Sequence, residues 1–215
     1  VEVLKNFATI NQNLVIKEGN TLTTMSAMKN IVAKAEVSES FEKEVAIYDL
    51  NEFLASLSLF KSPVLEFDEG FVTIKEENTT TSLKYFYSDP SVVTTPSKTI
   101  KMPSKEVTFA LKGEDLTKLK RAAGVIGAPD LVLEKKDTGS FLTVKDKKND
   151  TANTFSLDVT TTSEGNFNCF FTVENLKVMD GNYDVEISSK NISHLSSSNK
   201  DVEYWVALEP ESTYE

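Results

Sequence analysis

Between Leu116 and Gly124 the chain reads LTKLKRAAG, and three of those nine side chains, Lys118, Lys120 and Arg121, are cations. Grouped ammonium and guanidinium ions are either a surface for an anion, the Arg through a planar fork of donors and the Lys as a point charge, or ordinary solvated charges on a helix exterior. The setting makes them conspicuous: 33 acidic side chains face 23 basic ones, for a net charge of −10 and a pI near 4.8. An acidic surface repels nucleic acid on average, so any attraction must be local. At roughly 100° per residue, Leu116, Leu119 and Ala123 form one apolar stripe, Arg121 points away from it, Lys118 lies on the outer side and Lys120 on the flank.

Other reactive groups do not combine. One cysteine, Cys169, and one histidine, His194, leave no pair for nucleophilic catalysis. The run NCFF puts Cys169 among apolar neighbours, which reads as a buried structural thiol. The carboxylates of Asp49/Glu52 and Glu114/Asp115 fall at expected helix starts, where negative charge complements the helix dipole, and show no metal-ligand spacing. GVIGAPD (Gly124–Asp130) reads as a helix stop and turn, not as a phosphate-cradling loop. We therefore expect no enzyme, no cofactor and no metal. No apolar run approaches the ~20 residues of a membrane helix, and no signal peptide is visible. A lone cysteine fits a reducing cytoplasm. The chain starts at Val1, inside an expected helix, so a few native residues are expected to precede it.

The elements that must position the cations repeat along the chain. An apolar run, a short polar break and then Asp/Glu-Leu or Asn-Leu occur in FEKEVAIYDLNEFLASLSLF (Phe41–Phe60), VTFALKGEDLTKLKRAAG (Val107–Gly124) and NFNCFFTVENLKVMDG (Asn166–Gly181). Each predicts a strand leading into a short helix, and VLKNFATI (Val3–Ile10) predicts a further helix without its leader. Between the helices lie strand candidates with turns at Gly19-Asn20, Asp68-Glu69-Gly70 and Asp137-Thr138-Gly139. Alternating apolar and polar residues in several of them leave one sheet face wet. A proline-rich connector, residues 88–105, divides two similar α+β domains, 1–102 and 103–215, each expected to carry two helices packed on antiparallel strands. Of the other helices, the first has Lys5 beside Leu4 and Phe7, the last has Lys177 between Leu176 and Val178, and the second has a small, mostly neutral outer side of Asn51, Ala55, Ser56 and Ser58.

Several blocks resemble the sliding clamps of T-even-type bacteriophages: LKNFATIN (Leu4–Asn11), VAIYDLNEFLASLSL (Val45–Leu59), SDPSVV (Ser88–Val93), GEDL (Gly113–Leu116), GNY (Gly181–Tyr183) and YWVALEPEST (Tyr204–Thr213). The resemblance spans nearly the whole chain in order. It implies a DNA polymerase processivity factor with two DNA-clamp-type domains, closing as a homotrimer into a pseudo-sixfold ring around duplex DNA. Helices would line the hole, with Lys5, Lys118, Lys120, Arg121 and Lys177 facing phosphates. Three copies would carry three times −10, or −30, so the outside would repel DNA and the hole alone attract it.

The same resemblance implies a head-to-tail interface through the edge strands Leu83–Tyr87 and Thr154–Val159, with Tyr85, Phe86, Tyr87, Phe155 and Leu157 as anchors or plain core residues. It implies an outer groove for partner peptides near Val93, Ile100, Met102, Val206, Leu208 and Pro210, with packing of these residues on their own domain as the competing expectation. The implied partners are double-stranded DNA, encircled without sequence preference, the replicative DNA polymerase, an ATP-dependent clamp loader, and other clamp-binding factors such as late-transcription proteins. The implied place of action is the cytoplasm of an infected bacterial host. The alternative from another class is a β-rich structural protein of a virion assembling by strand edges.

Overall fold

The chain opens with α1 (Glu2–Ile10), which turns Phe7 and Ile10 inward. A computed structural model describes residues 1–96, 99–163 and 165–215. Ser97 and Lys98, within the expected connector, lie outside the described residues. The chain divides into two compact units, Val1–Lys29 with Ala33–Ser97, and Asn30–Val32 with Lys98–Glu215. The expected division lies between 102 and 103. That Asn30–Val32 groups with the second unit is announced by no local pattern.

In the first unit, β1 (Leu14–Ile16), β2 (Gly19–Met25), β3 (Ile31–Phe41, of which Ile31 and Val32 group with the second unit) and β4 (Val45–Ile47) precede α2 (Leu50–Leu57). β1 and β4 pair antiparallel, Leu14 opposite Ile47. Leu50, Phe53 and Leu57 recur at helical spacing and are buried, which makes α2 amphipathic. Asp49 starts it: its Oδ1 accepts the backbone N–H groups of Asn51 and Glu52, each at 3.0 Å, satisfying two donors that the first turn leaves orphaned. A three-stranded antiparallel sheet follows, β5 (Pro63–Phe67), β6 (Phe71–Glu76) and β7 (Ser82–Phe86), in that order, with the expected turn at Asp68–Gly70. Tyr85 in β7 packs its ring edge-on to Phe53, centroids 5.2 Å apart, and its hydroxyl donates to the Asp49 carbonyl at 3.0 Å. The sheet is thereby tied to the start of α2.

The second unit begins with β8 (Val107–Leu111) and α3 (Gly113–Ile126). Leu116, Leu119 and Ala123 are the buried residues of α3, the stripe the spacing predicts. The helix ends two residues later than GVIGAPD suggests: Gly124 lies inside it and Gly127 takes the stopping role, at φ 67°, a left-handed conformation that costs glycine nothing.

Then come β9 (Asp130–Lys136), β10 (Gly139–Lys145), β11 (Phe155–Val159), β12 (Phe167–Thr172), β13 (Tyr183–Ser188), β14 (Ile192–Ser197), β15 (Val202–Ala207) and β16 (Thr213–Tyr214). One antiparallel sheet runs β11-β10-β9-β12-β16, and β15, β14, β13 and β8 pair in that order in another. The turn Asp137-Thr138 closes the β9–β10 hairpin, with Lys136 opposite Gly139.

The helix expected within Asn166–Gly181 is not formed. β12 runs into a single 3-10 turn, Val173–Asn175, so the described residues hold one α-helix in this unit. Leu176, Val178 and Met179 are all buried, a spacing that extended backbone can satisfy and one helix face cannot. Side chains replace the missing helical hydrogen bonds. The Met179 N–H donates to the Tyr204 hydroxyl at 3.2 Å, and the Tyr183 hydroxyl donates to the Met179 carbonyl at 2.6 Å.

Candidate nucleic-acid interface

Glu114, Thr117, Lys118, Arg121, Gly124 and Val125 are the exposed residues of α3, spaced three and four apart, so they share one outward stripe. The three cations on this helix are not equivalent. Lys118 is exposed and lies 3.7 Å from the Asp115 carboxylate, one turn back. Lys120 is half-buried and curls inward: its Nζ donates to the Val178 carbonyl at 3.0 Å. Desolvation lowers the Lys120 pKa, partly offset by Asp180. Arg121 is exposed, and among the described residues it has no ion pair or hydrogen bond. The charge that LTKLKRAAG offers to an outside anion is thus carried first by Arg121 and next by Lys118.

The remaining expected phosphate contacts divide similarly. Lys5 is exposed on α1. Lys177 is half-buried on the extended segment after the 3-10 turn, not on a helix. The outer side of α2 exposes Asn51, Glu52, Ala55 and Ser58, a surface that neither grips nor, apart from Glu52, repels a phosphate.

Both strands named as interface candidates lie at sheet edges: β7 pairs only with β6, and β11 only with β10, among the described residues. Phe86 is 70% exposed and stands beside Phe71, ring centroids 5.6 Å apart. Phe155 and Leu157 are half-buried, as are Tyr85 and Tyr87. Tyr85 is committed to Phe53 and Asp49, as above. The Tyr87 hydroxyl is buried without a partner among the described residues.

The groove residues need correction. Val206 is fully buried in β15, Leu208 is 6% exposed, and Val93 is 7% exposed in a cluster with Val15 and Ala46. These three side chains pack in the core of their own unit, the competing expectation, and offer little surface to an outer groove. Ile100 and Met102 are half-buried, and Pro210 is exposed. Alternation along β15 cannot say which set of residues faces in, because Tyr204, Trp205 and Val206 are buried consecutively.

Sequence reading also missed Lys147. Its Nζ lies 3.5 Å from Asp130, 3.9 Å from Glu209 and 2.5 Å from Glu211. Glu209 accepts from the Thr172 hydroxyl, and its N–H donates to the Phe170 carbonyl at 2.9 Å. The C-terminal segment is thus clasped to β12 and extended by β16, Thr213 opposite Asn168. Nothing in the loop DKKND distinguishes Lys147 from Lys148. Cys169 is fully buried, and desolvation raises its thiol pKa to about 12, partly offset by the Tyr214 hydroxyl. His194 stacks on Trp205 at 4.9 Å, between Glu186 and Glu203.

Comparison with known proteins is consistent along the whole chain. The model of a DNA polymerase processivity factor family matches residues 1–95, and the model of the gp45 sliding clamp C-terminal region matches residues 108–210. A sliding clamp of Vibrio phage KVP40 is 33% identical, the match covering 97% of this chain and 96% of that one. A sliding clamp of Enterobacteria phage T4 is 30% identical, over 99% of this chain and 96% of the relative. The solved structure of A. fulgidus PCNA bound to the C-terminal region of FEN-1 superposes with a TM-score of 0.70 at 16% identity, covering 99% of this chain and 95% of that one. That likeness concerns the fold.

Proposed function

The chain belongs to the sliding-clamp family of DNA polymerase processivity factors, and from that premise we propose how its residues do the work. A processivity factor is not an enzyme; it keeps a DNA polymerase on duplex DNA. The reading as a structural virion protein has no support among the similar chains.

Three copies close head to tail into a ring with DNA in the hole, and the stripe of α3 faces the duplex. The observation that carries this reading is the outward placement of Arg121 and Lys118 opposite Leu116, Leu119 and Ala123, on a chain of net charge −10. Tight phosphate pairing would halt a ring, because every neutralised phosphate adds salt-sensitive affinity. Base-edge hydrogen bonds would stop it at particular sequences. One exposed Arg, unpaired among the described residues, and a partly compensated Lys per copy suit backbone tracking without either penalty. Lys5 adds a third exposed cation, from α1, while Lys120 and Lys177 contribute field rather than contact. Topology then supplies retention, and the tethered polymerase remains at high local concentration near the primer end.

The subunit interface uses β7 of one copy and β11 of the next, with Phe155 and Leu157 as apolar anchors and Phe86 at its exposed margin. Partner peptides, like the FEN-1 segment on the PCNA neighbour, dock where Ile100, Met102 and Pro210 remain accessible. An ATP-dependent loader opens the ring. The protein acts in the infected host cell, and we assign that action to its cytoplasm. The test is topological. Loaded onto a nicked circular plasmid, the chain should co-elute with the plasmid and be lost once a restriction enzyme linearises it; retention on the linear form would refute encirclement.

A further inference from the structure

β7 and β11 carry one charged residue each, Lys84 and Asp158. Both are exposed, and neither has an ion-pair partner among the described residues; Lys84 Nζ rests 4.3 Å from the centre of the Phe71 ring. We propose that Lys84 of one copy pairs with Asp158 of the next and fixes the register of the strand pair that joins them. This rests on the ring assembly proposed above and adds its alignment.

The faces restrict the choice. Along β7, Ser82, Lys84 and Phe86 are exposed while Leu83 and Tyr85 are half-buried. Along β11 the order is reversed: Phe155, Leu157 and Val159 are half-buried while Ser156 and Asp158 are exposed. An antiparallel pair that continues both sheets must set even-numbered residues opposite even-numbered ones, since a one-residue slip turns every side chain to the wrong face.

The backbone imposes the same parity independently. The Tyr87 N–H donates to the Gly70 carbonyl, so Tyr87, Tyr85 and Leu83 bond toward β6. The main-chain groups of Phe86 and Lys84 therefore point to the free edge. In the other sheet the two-residue turn makes Lys136–Gly139 the hydrogen-bonded closing pair of the hairpin. Alternation then aims Ser140, Leu142 and Val144 at their partners Val159, Leu157 and Phe155. That leaves Ser156 and Asp158 with their main chain on the free edge.

Two registers fit both strands. One sets Lys84 opposite Asp158, Leu83 opposite Val159, Tyr85 opposite Leu157 and Tyr87 opposite Phe155. The other sets Lys84 opposite Ser156 and Asp158 opposite Ser82, keeps only Leu83–Leu157 and Tyr85–Phe155 as apolar pairs, and places Tyr87 against Asn153. The first unites the two lone charges and matches one more pair of apolar residues. Cross-strand charge pairs and apolar pairs both favour it. The same two charges, unpaired on a free edge, discourage wrong partners before assembly.

The test compares Lys84→Asp, Asp158→Lys and the double exchange by sedimentation across a concentration series, with circular dichroism to confirm folding. Each single reversal should weaken self-association about tenfold, and the double exchange should recover it. In parallel, Phe86→Cys with Ser156→Cys should form an intermolecular disulfide, and Phe86→Cys with Thr154→Cys should not. Cross-linking of the second pair alone, or a ring indifferent to both reversals, would overturn the register while leaving the assembly intact. A wild-type chain that stays monomeric at every concentration would overturn the assembly itself.

Discussion

The ammonium of Lys120 is hydrogen-bonded to the carbonyl of Val178 at 3.0 Å, across 58 residues of sequence. One cation of the α3 cluster therefore secures the fold where a helix fails to form, and its neighbour Arg121 is left to meet the outside. The two roles can be separated.

Arg121→Glu should leave the unfolding midpoint unchanged and cut clamp-dependent polymerase stimulation severalfold, because the altered side chain is exposed and has no partner among the described residues. Lys120→Met should do the reverse, costing about 1–2 kcal/mol of stability as the Val178 carbonyl loses a charged donor. Urea denaturation and a primer-extension assay on both variants check the assignment. Equal effects on both readouts would show that the division is wrong.

The extended segment through Met179 depends on two tyrosine hydroxyls. Tyr204→Phe removes the acceptor for the Met179 N–H and leaves a buried donor unpaired, for an expected loss of about 1–3 kcal/mol. Chemical denaturation measures it directly, and a loss below a few tenths would mean that water or a shifted backbone replaces the hydroxyl.

Alkaline pH should destabilise the fold before it affects any surface pair. Burial raises the Cys169 thiol from 9.0 to about 12 and the Tyr204 hydroxyl from 10.0 to about 12. Both are neutral in the folded chain at pH values where the unfolded chain ionises them. The unfolded state then binds fewer protons, so their contribution is complete below pH 9 and declines as pH rises toward 12, by about 1.4 kcal/mol per pH unit for each group. Urea unfolding at pH 8, 9 and 10 should show the fall begin, with a shallower slope in Cys169→Ala. In native protein the thiol should resist a disulfide reagent until unfolding.

Lys147→Met should loosen the C-terminal clasp. It removes the cation shared by Asp130, Glu209 and Glu211 and leaves Asp130, 5% exposed, without its counter-charge. Faster hydrogen exchange confined to Glu209–Tyr214, with a stability loss of about 2 kcal/mol, is the expected signature. Unchanged exchange there would assign the clasp to β16 pairing and the Glu209 backbone alone.

Much of this is legible in the order of the residues. The repeat of Leu116, Leu119 and Ala123 placed Arg121 and Lys118 outside, and Asp49 marked the start of α2, because both signals are local: helical period and capping chemistry act within a few residues. The turns at Asp68–Gly70 and Asp137–Gly139 were equally local, whereas the edge strands Leu83–Tyr87 and Thr154–Val159 were named only through the family resemblance. The TVENLK segment misled, since it carries helix-like spacing up to Leu176 while Val178 and Met179 are both drawn into the core beside Tyr183 and Tyr204. The groove residues Val93, Val206 and Leu208 misled for a related reason: an apolar residue near a chain end can line a surface or fill a core, and only its distant neighbours decide.

By itself the sequence determined the family, the cations and the alternation of the two edge strands, since these depend on residue type and on periods of two or 3.6. Tertiary structure alone decided which cation points outward, which valines are inside, and that Lys84 and Asp158 sit on sheet edges, without an ion-pair partner among the described residues and with their main chains outward. Those facts depend on partners far apart in the chain, as Lys120 is from Val178, and no local period encodes which distant group a side chain will meet.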